Sequence, residues 1–525
     1  MPNPVGQPIK AAVDGENNSI RFDWAYPLLG SPAAALSWLR EHHGKNLFLL
    51  PISGSSCGGG IMQSEAPADG SIIGLRFDPP AEPQIHLNQQ ITLDQIALDE
   101  IAINVEQQRI SAGAGITLAQ LNHALRDTLG STYRVLGADL TSYQYAAVGA
   151  TFMTGGMGPQ RRYFSDSVVA IAIFNGDKIV RIDGDELNGY AGTYGWSGLV
   201  TAVECQFHEI PPNEIAFMLP ISNDPQSLAG VLARLAPFAR LEATASPLGN
   251  LDGGLDVILG IEHVSCAAMQ PLLEQGQDNP ASHRAIDLQN KCAQADADGL
   301  LFINGVSART TDEFLFELVD NRESDLPTIA GIALDHAELF TDPDEMRDLR
   351  EAIPYAARMQ TPNFRHLYKN HTDAVIQIHP GKEDAVMREL WQINCDYVAA
   401  VETLFAEQEG IYGSVLVYGH LNPHGVDPHN RVTMACDNQA VFERVRTKLL
   451  ELRAEYYRSM AGLCTTGDAS FIGGEKTADS EREIFAALGG TQRVPTQLQK
   501  RFRQQQEKVK NAAAMFNWRA LPPYR

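Results

Sequence analysis

The stretch AAVGATFMTGGMGPQRRYFSDSV, residues Ala146–Val168, decides how this sequence is interpreted. It places four glycines within ten residues, at positions 149, 155, 156 and 158, and then two arginines and a tyrosine before an apolar run. A backbone without side chains lets several N–H groups converge on one anion or on a flat polar ring. Glycines also occupy turns and bulges that bind nothing. The stretch alone therefore predicts either a ligand-binding loop or a turn.

Two more glycine-rich loops lie in the same half of the chain, at 53–60 and at 192–198. None of the three is a Walker A loop, because no Gly-Lys-Ser/Thr follows, and GAGITL at 113 lacks the third glycine of the dinucleotide-binding fingerprint. Three such loops within about 200 residues favour a large phosphate-bearing cofactor that lies across several loops.

Length and charge restrict the class of protein. The chain has 525 residues, which is too long for one core and predicts two or three domains. Its formal net charge of −23 argues against nucleic acid and anionic membrane surfaces as partners. For the same reason, any carboxylate ligand has to be met by local arginine or lysine.

The seven cysteines are scattered and form no CxxC motif, which is typical of a reducing compartment. The first residues have no apolar signal segment, and no apolar run is long enough to span a membrane. We therefore expect a cytoplasmic protein, and peripheral attachment to the inner membrane stays open.

Local patterns predict an α+β protein with a boundary at 212, where two prolines close a strand. The run 46–53 predicts a buried strand, and 107–130 predicts a strand, a turn and a helix with a Thr117–Gln120 capping box. Residues 167–182 predict a β-hairpin turning at Asn175-Gly176. Beyond the boundary, strand-like and helical runs alternate as far as 460, which indicates a second sheet.

Segments 31–212 resemble, in order and content, the FAD-binding domain of the vanillyl-alcohol-oxidase / p-cresol methylhydroxylase superfamily. Within it they are most similar to the D-2-hydroxy-acid dehydrogenases, which act on D-lactate, D-2-hydroxyglutarate or glycolate. The resemblance rests on LPISGSSCGG, SAGAGITLAQLNHAL, LGADLTSYQYAAVGATFMTGGMGPQRRY, VVAIAIFNGDKIV and YGWSGLVTAVE. It implies a p-cresol-methylhydroxylase-type (PCMH-type) FAD-binding domain followed by an α+β substrate or cap domain with an antiparallel sheet.

The resemblance also implies which residues bind FAD. The first loop has no histidine, and Cys57 stands where a glycine is usual, so we expect the FAD to be non-covalent. The expected FAD-binding residues are Ser53, Gly54, Ser55, Ser56, Cys57, Gly58, Gly137, Ser142, Gly149, Ala150, Thr151, Thr154, Gly158, Gly198, Leu199 and Val200.

The second half of the chain carries three histidines within ten residues, His420, His424 and His429, in VLVYGHLNPHGVDPHNRVTM. This stretch resembles the one in which the family's histidines hold a divalent metal, and TTGDASFIGGEK resembles the one that adds an acidic ligand, here Asp468. The resemblance therefore implies a metal site of His420, His429 and Asp468 as an open alternative. In the second motif, Ala469 or Ser470 stands where the family has a histidine base.

Oxidation of a 2-hydroxy acid needs a hydride acceptor, a base for the hydroxyl proton and a cation for the carboxylate. We expect His420 and His424 to serve as base or ligand, because the histidine pKa suits proton transfer near neutrality. The segment around Arg358 and Lys369 resembles the one that carries the family's carboxylate-binding cations. The alternative is that these three histidines lie in a solvated loop and take no part in binding or catalysis.

The sequence thus predicts an FAD-dependent oxidoreductase that transfers a hydride from a small D-2-hydroxy acid to flavin. The alternatives are a flavin-dependent alcohol or phenol oxidase and an electron-relay subunit without its own substrate. The expected electron acceptor is a quinone, a cytochrome or oxygen, and a homodimer stays open. The expected parts are an N-terminal arm (1–25), the FAD-binding domain (26–212), the substrate or cap domain (213–470) and a C-terminal helical segment that packs back on the FAD domain (471–525).

Overall fold

The computed structural model describes residues 24–27, 47–52, 71–76, 80–156, 158–159, 163–174, 178–191, 199–210, 213–236, 257–274, 280–307, 309–321, 323, 327–359, 364–372, 375–422 and 425–473. The chain divides into two compact units after Ile210. Each unit has its own sheets and its own apolar core.

The first unit contains two larger sheets and one strand pair. Its strands are β1 (Trp24–Pro27), β2 (Leu47–Ile52), β3 (Ser71–Arg76), β4 (Gln84–Leu87), β5 (Glu100–Asn104), β6 (Arg109–Gly113), β7 (Tyr133–Arg134), β8 (Val168–Phe174), β9 (Ile179–Asp183), β10 (Leu199–Gln206) and β11 (His208–Glu209). Three parallel strands form one sheet in the order β1-β3-β2. Six strands form the other in the order β4-β5-β6-β10-β8-β9, antiparallel except for the pair β4–β5.

Several predicted elements of this unit are confirmed. The run 46–53 contains β2, and 167–182 contains the antiparallel pair β8–β9, whose turn residues lie outside the described ranges. Helix α1 (Leu118–Leu129) begins with the predicted capping box, in which the Thr117 hydroxyl accepts from the Gln120 N–H and the Gln120 side chain accepts from the Thr117 N–H. These outcomes follow from local chemistry, since a cap and a hairpin depend on residues close in sequence.

The glycine-rich stretch corrects the sequence interpretation, because part of the predicted loop 149–158 is helical. Helix α2 (Val148–Thr154) covers its first half and ends at Gly155, which adopts a left-handed φ of 69°. The Gly155 N–H donates to the Thr151 and Phe152 carbonyls, as at many helix ends where glycine adopts a conformation that other residues avoid. A single Gly149 among Val, Ala, Thr, Phe and Met did not prevent the helix.

The second unit is built on one nine-stranded antiparallel sheet. Its strands are β12 (Asn213–Ile221), β13 (Val257–Ser265), β14 (Gly299–Ser307), β15 (Thr328–Ile329), β16 (Ile332–Ala333), β17 (Glu338–Leu339), β18 (His366–His371), β19 (Val375–Ile378), β20 (Tyr412–Asn422), β21 (Gly425–Cys436) and β22 (Ala469–Gly473). The sheet has the order β17-β12-β14-β13-β20-β21-β19-β22, and β18 pairs with β21 beside it. The short strands β15 and β16 pair with each other.

Helices cover both faces of this sheet. They are α3 (Pro225–Leu235), α4 (Gln270–Leu273), α5 (Pro280–Gln294), α6 (Thr311–Leu318), α7 (Pro343–Met359), α8 (Glu383–Ala406) and α9 (Gln439–Leu463). Strand residues alternate between faces, so Ile261 and Ile303 share one core with α3, α8 and α9, and Phe302 shares the other with α4, α5 and α7. Burial of these two apolar faces is the main stabilising contribution in this unit.

The structure confirms the predicted fold class of mixed α+β units with an antiparallel sheet in the second half. Trp24 and Ala25 of the expected arm (1–25) belong to β1, and the other residues of that arm lie outside the described ranges. The same holds for the expected C-terminal segment beyond Gly473. The domain limits at 26–212 and 213–470 stay predictions. None of the helices in the described ranges combines the length and apolarity needed to cross a lipid bilayer.

Candidate functional site

The segments expected to bind FAD converge at one end of the six-stranded sheet. The Ala114 N–H donates to the Thr201 carbonyl at 2.9 Å, which joins the end of β6 to β10. The Val148 N–H donates to the Ile116 carbonyl at 2.8 Å, which joins helix α2 to the turn after β6. Residues far apart in sequence therefore meet in one place, as a ligand spanning several loops requires.

Glycines in this region allow backbone segments of the chain to approach one another. A Cβ at Gly149 would lie 2.7 Å from the Cβ of Ala114, and a Cβ at Gly158 would lie 2.0 Å from the Asp139 carbonyl oxygen. Gly137 adopts a φ of +74°, and a side chain there would also approach the Tyr163 carbonyl to 2.8 Å. The absence of a side chain at these glycines therefore makes room for other backbone segments of this protein, and not only for a ligand.

Other residues expected to bind FAD lie in the same region. The Thr151 hydroxyl donates to the Ala147 carbonyl at 2.9 Å, and the Thr154 hydroxyl donates to the Thr151 carbonyl at 3.4 Å. Leu199 and Val200 begin β10, opposite Phe174 and Ile173 of β8. The remaining described ones are Ser142, whose carbonyl accepts from Ala146 N–H, and Ala150 within α2. Ser53, Gly54, Ser55, Ser56, Cys57, Gly58 and Gly198 lie outside the described residues.

In the second unit, three neighbouring strands place ionisable side chains on one face of the sheet. His420 on β20 is opposite Glu262 on β13 and opposite Asp427 on β21. His429 on β21 is opposite Tyr418, in the next row of the same face. We call Glu262, His420, Asp427 and His429 the histidine cluster, and each is no more than 2 % exposed.

The histidine cluster consists of two histidine–carboxylate pairs. The Nδ1 of His420 lies 3.7 Å from Oε2 of Glu262, and the Nε2 of His429 lies 3.5 Å from Oδ2 of Asp427. The two imidazole rings are edge-to-face, with centroids 5.4 Å apart. A carboxylate beside an imidazole favours one tautomer and stabilises the protonated ring. The Nδ1 of His429 also faces the Thr372 carbonyl oxygen at 3.3 Å, so both nitrogens of His429 have protein partners, and the His420–Glu262 pair is the better suited of the two to accept a proton from a hydroxyl group.

A buried arginine that the sequence interpretation missed completes this arrangement. Arg350 on helix α7 is fully buried, with Nε 3.6 Å from the same Glu262 oxygen that faces His420. Its Nη1 donates to the Asn304 side-chain carbonyl at 3.2 Å. The available signal was the spacing of α7, because Arg350 occurs between the buried apolar positions Met346 and Ile353 on a helix with an apolar face.

The structure does not bring the three expected metal ligands together. Asp468 pairs with Lys382 at 3.0 Å, and no group of three histidine, cysteine, aspartate or glutamate side chains in the described ranges could hold a metal ion. In the described ranges, Asp468 therefore does not group with His420 and His429, and their role as metal ligands stays a prediction. The physical reason is that Asp468 precedes β22, at the far side of β19 from β21.

The segment around Asp468 is hydrogen-bonded to His379, the residue that follows β19. The His379 N–H donates to the Asp468 carbonyl at 3.0 Å. In the His379 ring, Nδ1 donates to the Gly467 carbonyl at 2.8 Å, so Nε2 accepts from the Ser470 hydroxyl at 2.8 Å. His379 thus fixes the position of residues 467–470, the segment in which Ala469 or Ser470 stands where the resembling family has a histidine.

The remaining candidates are only partly described. Arg358 lies on α7, and Lys369 lies on β18 opposite Thr433, with both side chains outside the described part of the chain. His424 lies outside the described residues altogether. Their expected roles stay predictions.

No protein-family model matches this chain. No curated protein matches it either. Solved structures do resemble it, among them 6-hydroxy-D-nicotine oxidase from Arthrobacter nicotinovorans, with a TM-score of 0.53, 14% identity and coverage of 100% of both chains. A 4-ethylphenol oxidase from Gulosibacter chungangensis gives a TM-score of 0.53 and 15% identity over 96% of this chain and 89% of that chain.

A third similar structure is BBE-like #28 from Arabidopsis thaliana, with a TM-score of 0.53 and 11% identity over 98% of this chain and 96% of that chain. At such identities, the likeness establishes the fold alone. The chain has the fold of 6-hydroxy-D-nicotine oxidase and 4-ethylphenol oxidase, in line with the fold that the sequence resemblance implied.

Proposed function

We propose that this protein is an FAD-dependent oxidoreductase that acts on a small molecule. The observation that carries the proposal is the convergence of three distant segments, after β6, at the start of α2 and at the start of β10, which are the described segments expected to bind FAD. The fold shared with several oxidases supports it.

The first unit supplies the cofactor site in this proposal. Backbone groups of Gly149 and Ala150, and of Leu199 and Val200, are the described groups that would hold the FAD, together with the two loops outside the described residues. Gly149 and Ala150 carry little or no side chain, which would let a large, flat ligand approach the backbone at the start of α2. Bound FAD would supply the acceptor for a hydride from the substrate carbon. We expect it to be non-covalent.

The second unit supplies proton transfer. The substrate hydroxyl loses its proton as its carbon is oxidised, and the His420–Glu262 pair is our first candidate to receive it, with the His429–Asp427 pair as the second. Burial of both carboxylates strengthens their electrostatic effect on the rings. Arg350 lies 3.6 Å from the same Glu262 oxygen that faces His420, and we assign it the role of positioning this carboxylate.

A small D-2-hydroxy acid is the first substrate class that we propose, with Arg358 and Lys369 as the cations for its carboxylate. An alcohol or a phenol is the second, and one observation favours it: Asp468 pairs with Lys382 and does not join the histidines in a metal site. An electron-relay role without a substrate of its own is the third. In each case, the reduced flavin would pass its electrons to a quinone, a cytochrome or oxygen. A cytoplasmic location, with or without peripheral attachment to the inner membrane, and a homodimer complete the proposal.

An absorption spectrum of the purified protein, before and after anaerobic addition of substrates, tests the proposal. The panel contains D-lactate, D-2-hydroxyglutarate and glycolate, followed by primary alcohols and para-alkylphenols. Bleaching of a flavin band by one class assigns the substrate, and a band that no compound bleaches supports the relay role. Absence of flavin, even after incubation with FAD, contradicts the proposal.

A chelator separates the first two substrate classes. If a divalent metal orients a 2-hydroxy acid, dialysis against a chelator slows bleaching, and added Mn²⁺ or Zn²⁺ restores it. If the substrate is an alcohol or a phenol handled by the histidine cluster alone, the rate is unchanged. Denaturation followed by filtration tests the non-covalent attachment, because free FAD should then pass the filter.

A further inference from the structure

Two cysteines of the second unit meet at the start of β14. Strand β13 ends at Ser265, which pairs with Gly299, and the next residue is Cys266. The Cys266 N–H donates to the Asp298 carbonyl at 2.8 Å. The backbone therefore fixes Cys266 beside the residues that begin β14.

The second cysteine reaches the same place from helix α5. The Ala297 N–H donates to the Cys292 carbonyl at 2.8 Å, so the chain turns directly from the end of α5 towards β14. The Cys292 thiol lies 4.0 Å from the Gly299 carbonyl oxygen. Two independent elements thus bring both cysteines to Asp298 and Gly299, and the Cys266 side chain packs against the apolar core that contains Cys292.

Interaction between the two side chains separates their pKa values. It raises the pKa of Cys266 and lowers the pKa of Cys292. Burial alone raises the pKa of Cys464 to about 12, and burial is the main cause that raises the pKa of Cys395 to about 11. Among the described cysteines of this unit, the pair is therefore the place where a thiolate forms most readily.

The two cysteines also differ in their exposure to solvent. Cys266 is half-buried at the start of a short 3₁₀ turn, whereas Cys292 is only 2 % exposed and packs in the apolar core of α4, α5 and α7. Only a small oxidant can reach the pair, and the two sulfurs are the nearest reaction partners for each other. Further oxidation of either sulfur would be outpaced by closure of the disulfide.

We propose that Cys266 and Cys292 form a dithiol that a hydroperoxide converts reversibly to a disulfide. With hydrogen peroxide, one of the two sulfurs attacks one peroxide oxygen, the O–O bond breaks, and the hydroxide that leaves takes the proton of that thiol to form water. The other sulfur then attacks the resulting sulfenic acid, an S–S bond forms, and the sulfenic hydroxyl leaves with the second thiol's proton as a second water. Two electrons pass from the sulfurs to the peroxide, and a dithiol reductant reverses the change.

The proposal is independent of the flavin function and is tested with the full-length protein and added hydrogen peroxide. After reduction and desalting, the protein is oxidised, its remaining thiols are alkylated, and its peptides are analysed by mass spectrometry. We expect a peptide linked through Cys266 and Cys292, and its loss on reduction. In C266S and C292S this linked peptide should be absent.

Two control variants make the result specific. C395S removes a half-buried thiol of the same unit and should retain the linkage, and so should C57S. A linkage of Cys292 to Cys57, or equal formation of Cys292 sulfinic acid in the parent protein and in C266S, would overturn the proposal. Alkylation of both cysteines after peroxide treatment would overturn it as well.

Discussion

The guanidinium of Arg350 and the carboxylate of Glu262 face each other inside the second unit, with Nε 3.6 Å from Oε2 and neither side chain exposed. Glu262 Oε2 also lies 3.7 Å from the Nδ1 of His420. One carboxylate thus lies between a helix-borne cation and the imidazole that we assign to proton transfer. The pair links stability of the sheet to geometry of the histidine cluster.

Replacement of Arg350 by methionine should destabilise the protein strongly. The substitution leaves the buried Glu262 carboxylate without its arginine, and breaking a buried pair from one side costs about 3–5 kcal/mol. The free energy of unfolding from urea titrations measures the effect. The matched control is R388M, because Arg388 pairs with Asp384 at the surface and should change stability by less than about 0.5 kcal/mol.

The double variant R350M/E262L distinguishes a lost pair from lost packing. If the cost comes from the uncompensated carboxylate, removal of that carboxylate restores most of the stability. If the double variant is as unstable as R350M, packing of the Arg350 side chain was the dominant contribution, and the electrostatic account is wrong.

Much of the fold could be predicted from the sequence because its signals are local. The Thr117–Gln120 capping box and the β8–β9 hairpin depend on residues a few positions apart, and both are present. The meeting of Arg350, Glu262 and His420 depends on sheet order and on the packing of α7, which no local pattern contains. The same limit explains Asp468, whose motif was recognisable but whose position was fixed by β19 and β22.

Acid should destabilise the protein through His263. Burial lowers the pKa of this histidine from 6.5 to about 3, and its Nε2 faces the side-chain oxygen of Asn223. The folded state keeps the ring neutral while the unfolded chain takes up a proton below about pH 6.5. The unfolded state therefore binds more protons, and stability falls as the pH drops from about 6.5 towards 3, by up to a few kcal/mol.

The variant H263Q isolates this contribution. It removes the titrating ring, so the difference in unfolding free energy between parent and variant should shrink as the pH falls from 7 to 4. Urea titrations across this range provide the measurement. A difference that stays constant with pH would show that His263 is not the group responsible. Other histidines cancel in the comparison, since they are present in both proteins.

Gly158 should not tolerate a side chain. A Cβ there would lie 2.0 Å from the Asp139 carbonyl oxygen, so alanine has to displace backbone. We expect G158A to lose about 1–3 kcal/mol of stability or more. The control is G462A on α9, where a Cβ meets nothing within 4 Å and alanine should be neutral or stabilising by about 0.5–1 kcal/mol. Equal stability of G158A and the parent protein would contradict the close contact.

The histidine cluster provides the sharpest test of the proposed chemistry. If His420 or His429 accepts the substrate proton, H420N or H429N should slow anaerobic flavin reduction about 10²- to 10⁴-fold, whereas flavin content should not change. His336 carries a partly exposed ring beside Asp335, so H336N is a matched control that should keep the parent rate. Stopped-flow absorbance with the substrate that bleaches the parent flavin gives the rates.

The outcome separates the roles of the two rings. A large loss in H420N alone assigns the base to the ring that Glu262 and Arg350 orient, and a large loss in H429N alone assigns it to the ring paired with Asp427. Equal, moderate losses would indicate that both rings contribute to the step and that neither is the sole base. Parent-like rates in both variants would remove the histidine cluster from the mechanism and leave its burial as a structural feature of the sheet.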